Sequence, residues 1–240
     1  MNIGVIFAGG SGKRMHTKGI PKQFLEIDGK PIIISTLEVF EHCTDVDAVI
    51  VVCLKDYIPY LEKLIGRYAL RKISRVIPGG TTGQESIYLG LCAAEETAGD
   101  SETVVLIHDG VRPLITEELI TENILTAREK GNAVTVAPVN ETIIQCDPDP
   151  AEISRILERS TCFVAKAPQT FFLRDILQAH RKARTENRAF IDSASMMQAY
   201  GMKLYTVAST PDNIKVTTPS DYYMLKAFMQ EKENSRIFGL

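Results

Sequence analysis

The chain has 240 residues, with 27 Lys and Arg against 30 Asp and Glu, 45% hydrophobic residues and no Trp. That length and apolar share support one sizeable core. The formal charge of −3 excludes a global attraction to nucleic acid or anionic membrane, so any phosphate chemistry needs a local cluster of cations. No apolar run reaches the ~18 residues of a membrane-crossing helix. The start, MNIGVIFAGG, lacks the basic region of a signal peptide, and a cytoplasmic protein is expected. Cys43, Cys53, Cys92, Cys146 and Cys162 are scattered and odd in number, without the close spacing of a zinc or redox pair. His16, His42, His108 and His180 form no close metal pair either.

In chain order, apolar β-branched runs alternate with longer amphipathic stretches. Strands are expected at Ile3–Ala8, Ala48–Cys53, Ile73–Ile77, Thr103–Ile107 and Ala133–Ala137; their lack of polar alternation fits strands covered on both faces. Helices are expected at Ile32–Glu41, Tyr57–Tyr68, Gln84–Glu96 and Thr116–Glu129, the last with Thr116 as N-cap and Gly131 as its stop. This succession predicts an α/β fold with an open, mostly parallel sheet flanked by helices, whose ligands bind at the carboxyl ends of the strands. From Val139 to Phe163 the rhythm breaks into two extended stretches around D-P-D-P. This reads as a projecting β-arm or an ordinary edge hairpin. Helices follow at Leu173–Thr185, Ser193–Ala199 and Pro219–Gln230, with a strand near Lys203–Val207. No linker separates two domains; residues 1–240 read as one, with the arm at about 139–163.

Four segments carry candidate chemistry. After the first strand comes A-G-G-S-G-K-R-M-H-T-K-G-I-P-K-Q-F, which places Lys13, Arg14, Lys18 and Lys22 beside Gly9, Gly10 and Gly12 with no acidic residue from Gly9 to Lys22. Glycine amides can cradle phosphate oxygens while the cations neutralise them. It is neither a Walker A loop, which would need Gly at Phe7 and Ser or Thr at Arg14, nor a dinucleotide fingerprint, which would need Gly or Ala at Met15. A solvated basic turn is the plainer alternative. Second, I-H-D-G-V-R-P ends a buried strand with Asp109 and Arg112, suited to a metal ion, a hydroxyl or an anion, or forming a buried ion pair. Third, P-G-G-T-T-G-Q-E-S offers Gly80 and Ser86 to a flat base, or is a simple turn. Fourth, D-N-I-K-V-T holds Lys215 in what reads as an apolar strand, where it needs an anionic partner. Thr142 and Arg159 on the arm are weaker candidates.

The first loop with P-K-Q-F, then H-D-G-V-R-P, A-P-Q-T-F and D-N-I-K-V-T, resemble in order and spacing the cytidylyltransferases that act on 2-C-methyl-D-erythritol 4-phosphate and their relatives acting on ribitol 5-phosphate. The resemblance covers nearly the whole chain. It implies a Rossmann-like, nucleotide-diphospho-sugar-transferase-like fold and transfer of CMP from CTP to a polyol phosphate with release of pyrophosphate. It also implies Mg²⁺ held mainly through the CTP phosphates, and a homodimer built through the arm. Methylerythritol phosphate, an isoprenoid precursor, is the first acceptor to consider. Ribitol 5-phosphate, giving CDP-ribitol for a surface polymer, is the alternative. By the same resemblance Arg14, Lys22 and Lys215 would be catalytic, and Ala8, Gly9, Gly10, Gly80 and Ser86 would bind the nucleotide. Asp109, Arg112, Thr142 and Arg159 would serve the acceptor, the last two reaching into the neighbouring subunit. Two positions depart from the family pattern: Gly83, about where an Arg is usual, and Ala167, where a Thr is usual. A sugar-nucleotide pyrophosphorylase and a non-catalytic nucleotide-binding protein on the same fold are the readings that compete.

Overall fold

The computed structural model describes residues 1–10, 19–98, 102–147 and 152–239. Within them the elements are β1 (Asn2–Ala8), β2 (Glu26–Ile27), β3 (Lys30–Pro31), α1 (Ile32–His42), β4 (Ala48–Cys53), α2 (Ile58–Arg67), β5 (Ile73–Pro78), α3 (Gly83–Ala98), β6 (Val104–Asp109), α4 (Glu117–Lys130) and β7 (Asn132–Pro138). The chain continues with β8 (Ile144–Cys146), β9 (Ile153–Ile156), β10 (Phe163–Phe172), α5 (Leu173–Thr185), α6 (Ser193–Ala199), β11 (Thr206–Ala208) and α7 (Pro219–Phe238).

Seven strands share one sheet in the order β11-β7-β10-β6-β1-β4-β5. All neighbours in it are parallel except β10, which runs antiparallel to both β6 and β7. The apolar runs are buried for the reason their composition suggests. In β1, alternate residues serve opposite faces. Ile6 with Val49 and Val51 of β4 packs on Ile33 and Leu37 of α1 and Leu61 of α2. Ile3 and Val5 with Ile50 and Val52 pack on Leu91 of α3 and Ile176 of α5. A strand clothed on both sides has no polar face to display. Helix α3 lies close against β1 because Gly90 has no side chain: a Cβ there would stand 2.5 Å from Val5 Cγ1 and 2.9 Å from Val52 Cγ2.

The expected ends of α4 hold. Thr116 Oγ1 accepts from the Leu119 amide at 3.3 Å, and Gly131 closes the helix at φ 92°, a conformation glycine adopts without a Cβ clash. Strand β10 takes in A-P-Q-T-F, a stretch to which the sequence assigned no element; proline cannot donate to a ladder, and a register shift between Ala165 and Gln169 accommodates Pro168. One expectation changes. The segment around Lys215 is not a strand: residues 213–217 form an irregular connection. Its carbonyls are taken by side chains instead of a neighbouring strand, and one backbone bond, Val216 N–H to Val111 O at 3.0 Å, ties it to the loop after β6.

The arm folds as a hairpin, β8 against β9, in a sheet of its own. Around it Ile144, Ile153, Ile156, Phe163 and Val164 are exposed. Among the described residues no helix is long and apolar enough to cross a membrane.

Candidate functional site

The carboxyl ends of β1, β6 and β5 meet the irregular 213–217 segment, and two clefts open there. The P-K-Q-F motif makes one rim. Gln23, fully buried, donates from Nε2 to Ala8 O at 2.6 Å, tying the motif to the end of β1. Phe24 stacks on Tyr57 at 5.1 Å between ring centroids. Held between these two anchors, Lys22 donates to Val216 O at 2.8 Å and lines the first cleft. Arg14, with Lys13 and Lys18, lies outside the described residues.

The first cleft, about 480 Å³, is walled by Ala8, Gly9, Gly10 and Gly80 and by Lys22 and Lys215. Its glycine wall is close-packed: a Cβ on Gly79 would stand 3.0 Å, and one on Gly9 3.3 Å, from Ser86 Oγ. Ser86 donates to Thr82 O at 2.9 Å and accepts from the Gly80 amide at 3.1 Å. Its hydroxyl proton is therefore committed to shaping the loop, which leaves main-chain edges and one oxygen lone pair for a ligand. Gly83 starts α3 and faces both clefts with no side chain.

Asp109, at the end of β6, is 5% exposed. Its Oδ2 accepts from Arg112 Nε at 3.3 Å, and its Oδ1 is paired with Lys215 Nζ. Burial pushes the carboxyl pKa up, but the Lys215 charge and then the Arg112 charge outweigh it and hold the carboxyl below its ordinary value. The buried Asp–Arg pair is thus real, and Lys215 has the anionic partner its sequence context demanded. Lys215 keeps 40% of its side chain exposed and lines both clefts, as does Asp109.

The second cleft, about 280 Å³, lies on the other side of that pair. Arg112 borders it, donating from Nη1 to Asn213 O at 2.6 Å. So does Lys166, a cation that sequence reasoning passed over although it directly precedes the Ala167 already singled out. Its Nζ donates to Pro211 O at 2.9 Å and to Asn213 O at 3.1 Å. Burial and then the neighbouring Arg112 charge lower its pKa. Ala167 presents a methyl group to this cleft, while its carbonyl accepts from Asn213 Nδ2 at 2.9 Å. Gln169, also missed, bridges β10 to α6: Nε2 donates to Asp192 Oδ2 and Oε1 accepts from the Ala194 amide, both at 2.8 Å.

Lys22, Lys215, Asp109, Arg112, Ala8, Gly9, Gly10, Gly80 and Ser86 therefore come together. Thr142 and Arg159 do not join them within one chain: both are exposed on the arm, neither lines either cleft, and Arg159 Nη1 donates to Asn140 O at 3.2 Å. Among the described residues no group of three or more His, Cys, Asp or Glu could hold a metal ion. A paired, buried carboxylate amid cations, opening on a glycine-walled cleft, is equipped to bring two anions together. Among the described residues lining the clefts there is no cysteine.

Residues 3–231 match the family model described as 2-C-methyl-D-erythritol 4-phosphate cytidylyltransferase. A protein of Streptococcus agalactiae named ribitol-5-phosphate cytidylyltransferase is 49% identical over the full length of both chains. One of Geobacter metallireducens named 2-C-methyl-D-erythritol 4-phosphate cytidylyltransferase is 37% identical, covering 95% of this chain and 97% of its own. The crystal structure of 4-diphosphocytidyl-2C-methyl-D-erythritol synthase from Anaerococcus prevotii superposes with a TM-score of 0.82 at 24% identity, over 95% of this chain and 96% of that one, and so shares the fold. With the sheet order, the paired clefts and these matches in agreement, the chain belongs to the 2-C-methyl-D-erythritol 4-phosphate cytidylyltransferase family.

Proposed function

We propose that the protein transfers CMP from CTP to a polyol phosphate, releasing pyrophosphate, and that the acceptor is ribitol 5-phosphate. The observation that carries the reaction is the Asp109–Lys215 pair at the junction of a glycine-walled cleft and a cation-lined one. CTP occupies the first cleft, its base against the main chain of Gly9, Gly10 and Gly80 and its phosphates toward Lys22; the family resemblance adds Arg14 as a further phosphate contact. The acceptor occupies the second, its phosphate drawn by Lys215, Arg112 and Lys166. An acceptor phosphate oxygen attacks the α-phosphorus, a P–O bond to it forms, and the bond to the β-phosphate bridging oxygen breaks with pyrophosphate leaving. A phosphate needs no strong base to act as nucleophile; the barrier lies in approach of two anions and charge on the equatorial oxygens. Fixed cations and positioning lower it. Lys215, held by Asp109 with part of its side chain still open to both clefts, is the group that meets that charge.

Mg²⁺ fits this site only in company with the nucleotide: among the described residues Asp109 is the one carboxylate lining the first cleft, and a small hard cation is commonly held by one or two carboxylates plus substrate phosphates. When bound, it would neutralise charge on the triphosphate and ease departure of pyrophosphate. The arm is proposed to pair two copies. Its exposed Ile153, Ile156 and Phe163 form the kind of apolar surface a partner covers, and pairing would bring Thr142 and Arg159 to a neighbour's acceptor cleft. Five free thiols support a reducing, cytoplasmic setting.

Methylerythritol 4-phosphate, the first acceptor considered from the sequence, becomes the second reading, supported by the family match and by the Geobacter relative's name. Ribitol 5-phosphate is put first because the relative bearing that name is more similar and covers the whole chain. Ala167, which offers the acceptor no hydroxyl, suits an acceptor pocket unlike the usual one. The test is pyrophosphate release from CTP and Mg²⁺ with each acceptor in parallel. Release with ribitol 5-phosphate alone is expected; release with methylerythritol phosphate alone reverses the order, and release with neither refutes the reaction.

A further inference from the structure

The second cleft has a helical wall whose chemistry differs from its cationic side. His180 of α5 is 1% exposed, and neither ring nitrogen has a hydrogen-bond partner among the described residues. Ser193, the first residue of α6, is 2% exposed, and its Oγ is likewise unpartnered. Both line the cleft that Asp109, Lys215 and Arg112 border. Buried polar atoms without partners are uncommon because each keeps its desolvation cost. Three at one wall of a ligand-sized cleft call for a ligand that both donates and accepts. Packing alone orients the imidazole, with the Tyr88 ring stacked at 6.2 Å. Burial lowers its pKa to about 4, so at neutral pH the ring presents one N–H and one bare nitrogen. Neither group carries charge to attract a phosphate. Both match a hydroxyl.

Resting on the polyol-phosphate reading above, we propose that His180 and Ser193 bind the hydroxyl that ends the acceptor's carbon chain, the end remote from its phosphate. The cationic side then takes the phosphate and the helical wall measures the chain. An acceptor lacking that hydroxyl leaves the wall unpartnered and is disfavoured, because sites built to bond a hydroxyl reject analogues without one.

The test compares ribitol 5-phosphate with its 1-deoxy analogue. Wild-type protein is expected to favour the hydroxylated acceptor by ~10–100-fold in kcat/KM. His180→Phe, which keeps an aromatic ring without the nitrogens, and Ser193→Ala should each reduce that preference to under ~5-fold. The loss should fall on the acceptor KM, with the KM for CTP unchanged, since neither residue lines the nucleotide cleft. If His180→Phe does not fold, Ser193→Ala decides alone. Undiminished preference in the folded variants, or no preference in the wild type, overturns the assignment while the reaction stands. No pyrophosphate with either compound refutes the acceptor reading itself, and this assignment with it.

Discussion

Replacing Lys215 by Ala separates what the lysine does for the fold from what it does for the reaction. In the fold, the change strips Asp109 of one of two charged partners. Removing a partner from a fully buried ion pair costs ~3–5 kcal/mol. Here the lysine side chain is 40% exposed and Arg112 stays at 3.3 Å, so the loss is nearer ~1–2 kcal/mol. For a chain of this length that lowers Tm by ~2–8 °C, and the protein stays folded at 25 °C. In the reaction, loss of one preorganised charge contact costs ~10²–10³-fold in kcat, equivalent to ~3–4 kcal/mol of barrier. The assays are thermal unfolding without ligands and pyrophosphate release under saturating CTP and acceptor. Lys215→Met, which keeps most of the stem, should lose turnover equally while recovering part of any packing loss. Turnover within ~3-fold of wild type in the folded Ala variant would refute the assignment of Lys215 to the transition state and leave it only a partner for Asp109.

Lys22→Ala should likewise cut turnover by at least ~10²-fold with circular dichroism unchanged; near-normal turnover removes it from the mechanism. Stability should fall between pH 6.5 and 4. His108 and His180 are both held near pKa 4 by burial, below the ordinary value, so in this window the unfolded chain takes up protons that the folded one does not. The loss is at most ~3 kcal/mol per histidine, and a urea midpoint that stays constant from pH 7 to 4.5 would contradict it. Asp109, with its lowered pKa, adds its own loss only at more acid pH, below the unfolded carboxyl value. Ile153→Glu with Ile156→Glu on the arm should give a monomer by sedimentation and reduced turnover; a monomer of full activity contradicts a site completed by the neighbouring subunit.

The sequence was most legible where one physical demand dominated. Strands β1, β4 and β6 are buried on both faces, so burial alone wrote their apolar runs, and Thr116 and Gly131 marked α4 because caps have few chemical solutions. It was least legible where two demands compete. Pro168 argues against a strand, and only the shifted register against β7 reconciles it with the sheet. Around Lys215 the apolar neighbours look like a strand, yet tertiary hydrogen bonds from Arg112, Lys166 and Lys22 take the carbonyls a ladder would use. Asp109, Arg112 and Lys22 were readable as site residues because charge in a strand-end loop is conspicuous. Lys166 was not, since one lysine beside an arm looks like ordinary surface until folding sets it against Arg112. His180 and Ser193 carried no signal, for an amphipathic helix hides a histidine on its buried face as readily as a leucine.

The irregular path of residues 211–217 has a consequence for how this site tolerates change. Three cations are steadied by the peptide oxygens of Pro211, Asn213 and Val216, atoms that every residue type supplies. Such supports restrain a cation without cancelling its charge, as a carboxylate would. They also cannot be deleted by altering a side chain. An alanine scan across the segment would register Lys215, the packing of Val216 and the buried Asn213 side chain, which donates to Ala167 O, while leaving in place the peptide oxygens that hold Lys22, Arg112 and Lys166. Here the determinant is the route of the backbone, fixed at one end by the Ser209 amide on Val136 O and at the other by Val216 on Val111 and the Thr218–Asp221 capping box that opens α7. Insertions or deletions between those two anchors would displace all three cations together, a sensitivity that substitutions would not reveal.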